Sequence, residues 1–202
     1  MMEPRLTTET LAALSQPFPA QVVNWKPQAT SKDGQKALAV PYVEVRAYQD
    51  RLNEIMGADW SDDYEVLDSG TVVICRLTIG GVTRSDVGES NPSNRNTATS
   101  ALAQAFKRAC VKFGLGAYLY HLPGRWEEYD SQRRRFTKGA LARLQRLAQA
   151  GGLRYGDGTA LSDNPAEAKA YHAYLQAEGR PPDSLSALRQ WADRLSANSS
   201  RT

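Results

Sequence analysis

The 202-residue sequence predicts an α+β fold. Short stretches of alternating apolar residues, separated by turns that contain Gly and Asp, indicate strands, and segments with apolar residues every three to four positions indicate amphipathic helices. Apolar residues make up 41% of the chain and charged residues 23%, which is ordinary for a globular protein. We therefore expect short N-terminal strands, a helix, a three-stranded antiparallel meander and a basic helix packed on the sheet.

Two short strands and a helix begin the predicted fold. The strands are Gln21–Lys26 and Ala37–Tyr42, and a polar loop with Gly34 at its turn joins them. In Val43–Met56 the apolar residues follow a helical period, and Gly57 is placed to end the helix.

A three-stranded meander follows this helix. Its strands are predicted at Tyr64–Leu67, Thr71–Ile79 and Val82–Val87. The pair Gly80 and Gly81 is a two-residue hairpin signal, so the last two strands are expected to be antiparallel neighbours.

The clearest helix of the sequence spans Ala98–Phe113, with Thr97 as its expected N-cap. Its apolar side chains fall within one arc at about 100° per residue. The opposite arc carries Lys107, Arg108 and Lys112. This helix is therefore expected to bury one face on the meander and to present a basic face to solvent.

Three further helices are expected in the C-terminal part. One spans Lys138–Gln149 and is capped by Thr137. A second begins at Asn164, which is followed by Pro165, and a third spans Leu185–Ser196. The last two helices form a small tail.

Length and composition limit the organisation of the chain. We assign residues 1–152 to one core domain, 153–163 to a linker and 164–202 to the helical tail. No apolar run approaches the roughly 20 residues that cross a bilayer, and no secretory pattern is present, so we expect a cytoplasmic protein without a membrane partner. Cys75 and Cys110 lie in apolar segments and are expected to be free thiols.

Positive charge is concentrated in one part of the chain. Ser90–Tyr155 contains twelve basic and three acidic residues, a net charge of +9, whereas the rest of the chain carries −6. Such segregation indicates an anionic partner. The basic helix lies inside Ser90–Trp126, which has no acidic residue and also contains Arg95. This stretch is therefore predicted to bind nucleic-acid phosphates.

A second basic cluster consists of Arg133, Arg134 and Arg135, between Tyr129 and Phe136. Aromatic rings beside cations suit stacked bases on a charged groove. A basic loop that leads into a helix is also common in proteins without such a function. A second DNA path and a contact between subunits both remain open for this cluster.

Signals for catalysis are few. His121 and His172 lack the ligand spacing of a zinc site, and no phosphate-loop or dinucleotide motif occurs, so no metal or cofactor is expected. Asp86 and Glu89 are the best carboxylate pair, and a magnesium-dependent nuclease is one alternative. Asp86 also suits a structural bond to backbone amides. A double-stranded RNA binding module is another alternative, because a three-stranded sheet with a basic helix describes that architecture.

Three stretches carry a family pattern: YVEVRAYQDRLNEIMG at Tyr42–Gly57, SDVGES at Ser85–Ser90 and AFKRACVKFGLGAYLY at Ala105–Tyr120. Their order and spacing resemble the Rad52-type single-strand annealing superfamily, most closely its bacterial DNA-damage-response members. The resemblance covers Gln21–Tyr120. It implies a non-catalytic protein for the repair of broken DNA, whose copies join side by side into a homo-oligomeric ring with single-stranded DNA in a basic groove.

The resemblance also implies functional residues. Lys107 and Arg108 match the KR pair of the family helix, and Arg46 lies near a basic position of its first helix. Lys112 and Lys26 complete the expected DNA-binding set, together with Arg95 and the second basic cluster. We expect the protein to protect strand ends or to anneal strands, to associate with the nucleoid, and to contact other repair proteins through its tail.

Overall fold

The computed structural model describes residues 6–92, 96–151, 156, 159, 161–162, 164–178 and 180–199, and it has the predicted α+β class. Its helices are α1 (Thr8–Leu14), α2 (Val45–Met56), α3 (Thr97–Val111), α4 (Lys138–Ala150), α5 (Pro165–Glu178) and α6 (Leu185–Ser199). Its strands are β1 (Val23–Thr30), β2 (Lys36–Val43), β3 (Trp60–Leu67), β4 (Val72–Ile79), β5 (Val82–Glu89), β6 (Arg125–Asp130) and β7 (Arg135–Phe136).

The chain packs into two compact units. Unit 1 contains the described residues through Phe18 and the segment Val43–Tyr118. Unit 2 contains Pro19–Tyr42 and the described residues from Leu119 onward. The chain therefore leaves unit 2 after β2 and returns to it only after α3.

Unit 1 is centred on an antiparallel sheet with the strand order β3-β4-β5, which is the predicted meander. Side chains of β4 alternate between the two faces, and those on the face covered by α3 are buried. These buried positions are Val73, Cys75, Leu77 and Ile79. The β4–β5 turn has Gly80 and Gly81 at φ of 55° and 84°, so the predicted hairpin is confirmed.

Helix α3 packs on this sheet through small and aromatic side chains. Its buried residues are Ala101, Ala105, Phe106, Ala109 and Cys110. The N-cap is Asn96, so the predicted cap at Thr97 was wrong. The Thr97 hydroxyl instead donates to the Asn91 carbonyl at 3.2 Å, which ties the start of the helix to the preceding loop.

Helix α1 was not predicted from the sequence. Thr7 caps it by accepting a bond from the Thr10 amide at 3.2 Å. Arg51 of α2 holds the segment that follows α1, because its guanidinium donates to the Gln16 carbonyl at 2.9 Å and lies 4.9 Å from the centre of the Phe18 ring. Helix α2 itself matches the predicted helix within two residues.

Unit 2 is built on a four-stranded sheet with the order β1-β2-β6-β7. Strands β1 and β2 were predicted, whereas β6 and β7 were not. Helix α4 covers one face, where the core consists of Ala37, Ala39, Tyr129, Phe136, Ala140 and Leu144. On the same side, Glu127 is only 8% exposed and accepts bonds from Nη2 and Nε of Arg143 at 2.7 and 2.9 Å.

The three C-terminal helices were predicted correctly. Thr137 caps α4 by accepting a bond from the Ala140 amide, and Asn164 accepts one from the Ala166 amide at the start of α5. Helices α5 and α6 share a small cluster of Leu161, Tyr171, Tyr174 and Leu188. Most of the predicted linker at 153–163 lies outside the described residues.

Both cysteines are free and buried, as predicted. Burial raises the pKa of the Cys75 thiol to about 12 and also raises the pKa of the Cys110 thiol well above its ordinary value. In the part of the chain that the structure describes, no helix combines the length and the apolarity needed to cross a membrane.

Candidate nucleic-acid interface

Gly88 determines how closely α3 approaches the edge strand β5. A Cβ at this position would overlap the Ala101 carbonyl oxygen and the Ala105 amide nitrogen, so no side chain separates the two backbones. Ala101 and Ala105 are themselves fully buried. Because the helix lies this close to β5, polar side chains on its outer face reach the groups of that strand.

The outer face of α3 carries the predicted cations Lys107 and Arg108, and the predicted Lys112 is the C-cap residue of this helix. Arg108 and Lys112 are exposed, and Lys107 is half-buried. Consecutive helical residues point about 100° apart, so the KR pair diverges. Arg108 reaches toward β5, whereas the Lys107 ammonium donates to the Val43 carbonyl at 3.3 Å, next to the start of α2.

Asp86 on β5 lies beneath two of these cations. Its Oδ1 accepts a bond from Nε of Arg108 at 2.9 Å, and its Oδ2 lies 3.5 Å from the Lys112 ammonium. The two cationic side chains are 48% and 46% exposed, but the carboxylate side chain is only 17% exposed. The solvent side of this cluster is therefore cationic, and its anion is recessed.

The pKa of Asp86 is lowered although partial burial alone would raise it. The Val87 amide donates to the carboxylate at 2.8 Å, and the positive charges of Arg108 and Lys112 stabilise its ionised form. The predicted bond to a backbone amide is thus present. Because one carboxylate faces two cations, the three side chains together keep a net charge of +1.

Arg84 extends the cationic surface along β5 and was not predicted from the sequence. Its guanidinium donates to the Lys112 carbonyl and lies 4.6 Å from the centre of the Phe113 ring. Arg84 precedes Asp86 by two residues in a strand, so both side chains point to the face that α3 covers. That spacing was the signal in the sequence that could have identified it.

Arg46 lies in the first turn of α2 and is exposed. Lys107 contacts the carbonyl of Val43, two residues before that helix begins. Arg46 therefore follows by three residues the backbone carbonyl that Lys107 contacts. Unit 1 thus contains four of the predicted cations, Arg46, Lys107, Arg108 and Lys112.

The carboxylate pair proposed for a nuclease is not assembled. Asp86 of β5 lies opposite Cys75 of β4, on the face of the sheet that α3 covers. Glu89 of β5 lies opposite Val72 of β4, and its side chain is on the other face. Within the described residues, no group of three or more His, Cys, Asp or Glu side chains could hold a metal ion. The geometry therefore does not favour the nuclease alternative.

The remaining predicted residues lie elsewhere. Arg95 is outside the described residues. Lys26 is on β1 of unit 2, where its ammonium lies 5.9 Å from the centre of the Tyr42 ring. The second basic cluster, Arg133, Arg134 and Arg135, is exposed at the β6–β7 turn of the same unit. The guanidinium of Arg133 lies 3.6 Å from a carboxylate oxygen of Asp130.

Comparison with known proteins gives a family match. The family model described as "Rad52/22 family double-strand break repair protein" matches residues 7–136, from the N-cap of α1 to the end of β7. Two proteins named "Single-stranded DNA-binding protein DdrA" are similar to the chain: that of Deinococcus radiodurans is 43% identical and that of Deinococcus deserti 39% identical, each over 123 residues. The alignments cover 60% of this chain but only 59% and 61% of these relatives. No solved structure matches.

Proposed function

The chain belongs to the Rad52/22 family of double-strand break repair proteins, and we propose that it binds single-stranded DNA during the repair of broken DNA. The observation that carries this proposal is the outer face of α3, where half-exposed cations lie above a recessed carboxylate. The names of the two relatives support the same ligand. In this role the protein covers strand ends and anneals complementary strands, without a cofactor and without cleaving the DNA.

The mechanism follows from the arrangement of charge. Phosphates approach the solvent side of α3 and interact with Lys107, Arg108 and Lys112, which releases condensed counterions. Arg46 and Arg84 extend this surface on the two sides of the helix. Contacts of this type are independent of sequence, as protection of arbitrary DNA ends requires. Lys26, Arg95 and the second basic cluster are further proposed contacts with DNA.

A charge reversal tests the site. The double variant Lys107→Glu and Arg108→Glu should lose binding of a fluorescein-labelled oligonucleotide in an anisotropy titration, because phosphate would meet two anions. The wild-type affinity should fall with salt, with a slope of about −0.7 for each phosphate neutralised.

The matched control makes the same change of charge in the tail. Lys169→Glu with Arg189→Glu alters two exposed positions on α5 and α6 and should retain wild-type affinity. Wild-type affinity in the α3 variant, with an unchanged melting temperature, would refute the site.

We further propose that copies of the chain form a ring through the edges of the unit 1 sheet. Strands β3 and β5 are its edge strands, and both carry exposed apolar side chains. These are Val66 and Leu67 on β3, and Val82 and Val87 on β5. Pairing of one copy's β3 with the next copy's β5 would satisfy the open backbone groups and cover these side chains.

Electron microscopy with and without an oligonucleotide tests this assembly. Closed rings are the expected result, and monodisperse monomers at micromolar concentration would contradict it.

We also propose that the protein acts on chromosomal DNA in the cytoplasm, with residues 1–152 as the DNA-binding and ring-forming core and the α5–α6 tail as a contact for other repair proteins. Removal of the tail should then leave DNA affinity unchanged.

A further inference from the structure

Trp126 is the most exposed tryptophan side chain of unit 2, at 52%. It lies on β6 directly opposite Leu38 of β2. The neighbouring pair Ala37 and Glu127 is buried on the face that α4 covers, and side chains alternate along a strand. Trp126 and Leu38 therefore lie on the other face of the sheet, and the indole is not needed to fill the core.

A lysine lies near this indole on the same face of the sheet. Lys36 lies on β2 two residues from Leu38, on the same face, whereas Arg125 pairs with the buried Ala39 and therefore belongs to the face that α4 covers. The acidic residues of β6 on this face are Glu128, which pairs with Lys36, and Asp130. The carboxylate of Glu128 is turned toward the start of α4. There it accepts a bond from the Thr137 hydroxyl at 3.1 Å and lies 3.3 Å from the Arg143 guanidinium.

The same face continues along β2 to Tyr42. The alternation of side chains places Tyr42 on the same face as Leu38, four residues away. The Lys26 ammonium lies over its ring, 5.9 Å from the centre. The face thus has two aromatic rings, at Trp126 and Tyr42, each with a cation near it.

We propose that Trp126 is a stacking platform for a nucleobase of single-stranded DNA, with Lys36 and Lys26 as neighbouring phosphate contacts. This inference rests on the proposed function and adds to it a contact with a base, where the α3 surface contacts phosphates. Stacking on an aromatic ring accepts any base, so it strengthens binding without selecting a sequence. The two lysines near these rings, Lys36 and Lys26, favour a polyanion over a second copy of the chain as the occupant.

The test compares strands with and without bases. Trp126→Leu retains an apolar side chain but removes the π-face, and it should weaken binding of a labelled oligo(dT) by about 5- to 100-fold. Binding of an abasic strand of the same length should not change, because that strand offers nothing to stack. Trp126→Phe should keep most of the affinity for oligo(dT). The dependence of affinity on salt should be the same in all three proteins, because no phosphate contact is removed.

Leu141→Ala is the matched control, since Leu141 is a 43% exposed apolar residue on α4 of the same unit. It should leave both affinities unchanged. Unchanged binding of oligo(dT) by Trp126→Leu, or an equal loss on the abasic strand, would overturn the proposal. A smaller assembly in light scattering would also overturn it, because the indole would then be an interface between copies. The charge-reversal variant of α3 tests the proposed function separately, since it should lose binding to both strands.

Discussion

Replacing Asp86 by Asn should tighten binding of single-stranded DNA. Asp86 is an anion inside the proposed phosphate surface, where it faces Arg108 at 2.9 Å and Lys112 at 3.5 Å. Asparagine has nearly the same shape and can still accept the bond from the Val87 amide. The substitution therefore removes one negative charge and changes little else, so that the net charge of the three side chains rises from +1 to +2.

The size of the effect follows from Coulomb's law. For a phosphate about 7 Å from the carboxylate, with a dielectric constant near that of water, one unit charge contributes about 0.6 kcal/mol, which is roughly a threefold change in the dissociation constant. If both cations then neutralise phosphates, the logarithmic dependence of affinity on salt should steepen by up to about 0.7. The gain should therefore be largest at low salt.

Anisotropy titrations of a labelled oligonucleotide over a series of salt concentrations measure both quantities. Asp193→Asn is the control, because it removes the same charge from an exposed position on α6. This control should leave affinity unchanged. Weaker binding by Asp86→Asn at an unchanged melting temperature would refute the reasoning, since the carboxylate would then hold Arg108 and Lys112 in the geometry that DNA needs.

Two further predictions concern packing. Gly88→Ala should destabilise the protein by about 1–3 kcal/mol in urea denaturation, because the added methyl overlaps the backbone of α3 at Ala101. Gly139→Ala in α4, where the new Cβ lies 3.6 Å from the Arg143 guanidinium and 4.0 Å from the Thr137 hydroxyl, should instead be neutral or stabilising, and equal losses at both glycines would contradict this account. Cys75 and Cys110 should resist a thiol reagent at pH 8 until the protein unfolds, since burial raises the pKa of both thiols; rapid modification of the native protein would show that the space between β4 and α3 opens readily.

The sequence predicted the elements whose pattern is local. The α3 helix and the β4–β5 hairpin follow from apolar periodicity and from the Gly80 and Gly81 pair, and both are present. Strand β6 has the sequence RWEEYD, which lacks a regular alternation of apolar and polar residues. Its Glu127 is buried only because Arg143 of α4 neutralises it, and that partner is not adjacent in the sequence. This strand could therefore not be recognised from its own residues.

The cations of the candidate site were predicted from the sequence, but their arrangement in space was not. Helical periodicity placed Lys107, Arg108 and Lys112 on the polar face of α3. The pairing of Asp86 with two of them depends on how closely β5 approaches the helix, which the contact at Gly88 sets. The wrong prediction of Thr97 as the N-cap has a similar cause, because its hydroxyl donates a hydrogen bond to the Asn91 carbonyl of the preceding loop.

The order of the strands has a consequence for how this chain can be divided and how it folds. Ala39 pairs with Arg125, although the segment of unit 1 from Val43 to Tyr118 lies between them in the chain. A fragment that stops at Tyr118 would keep Lys107, Arg108 and Lys112 but would leave β2 without β6, with a bare strand edge open to aggregation. During folding, the early formation of unit 1 would shorten the loop that must close before β2 and β6 can meet.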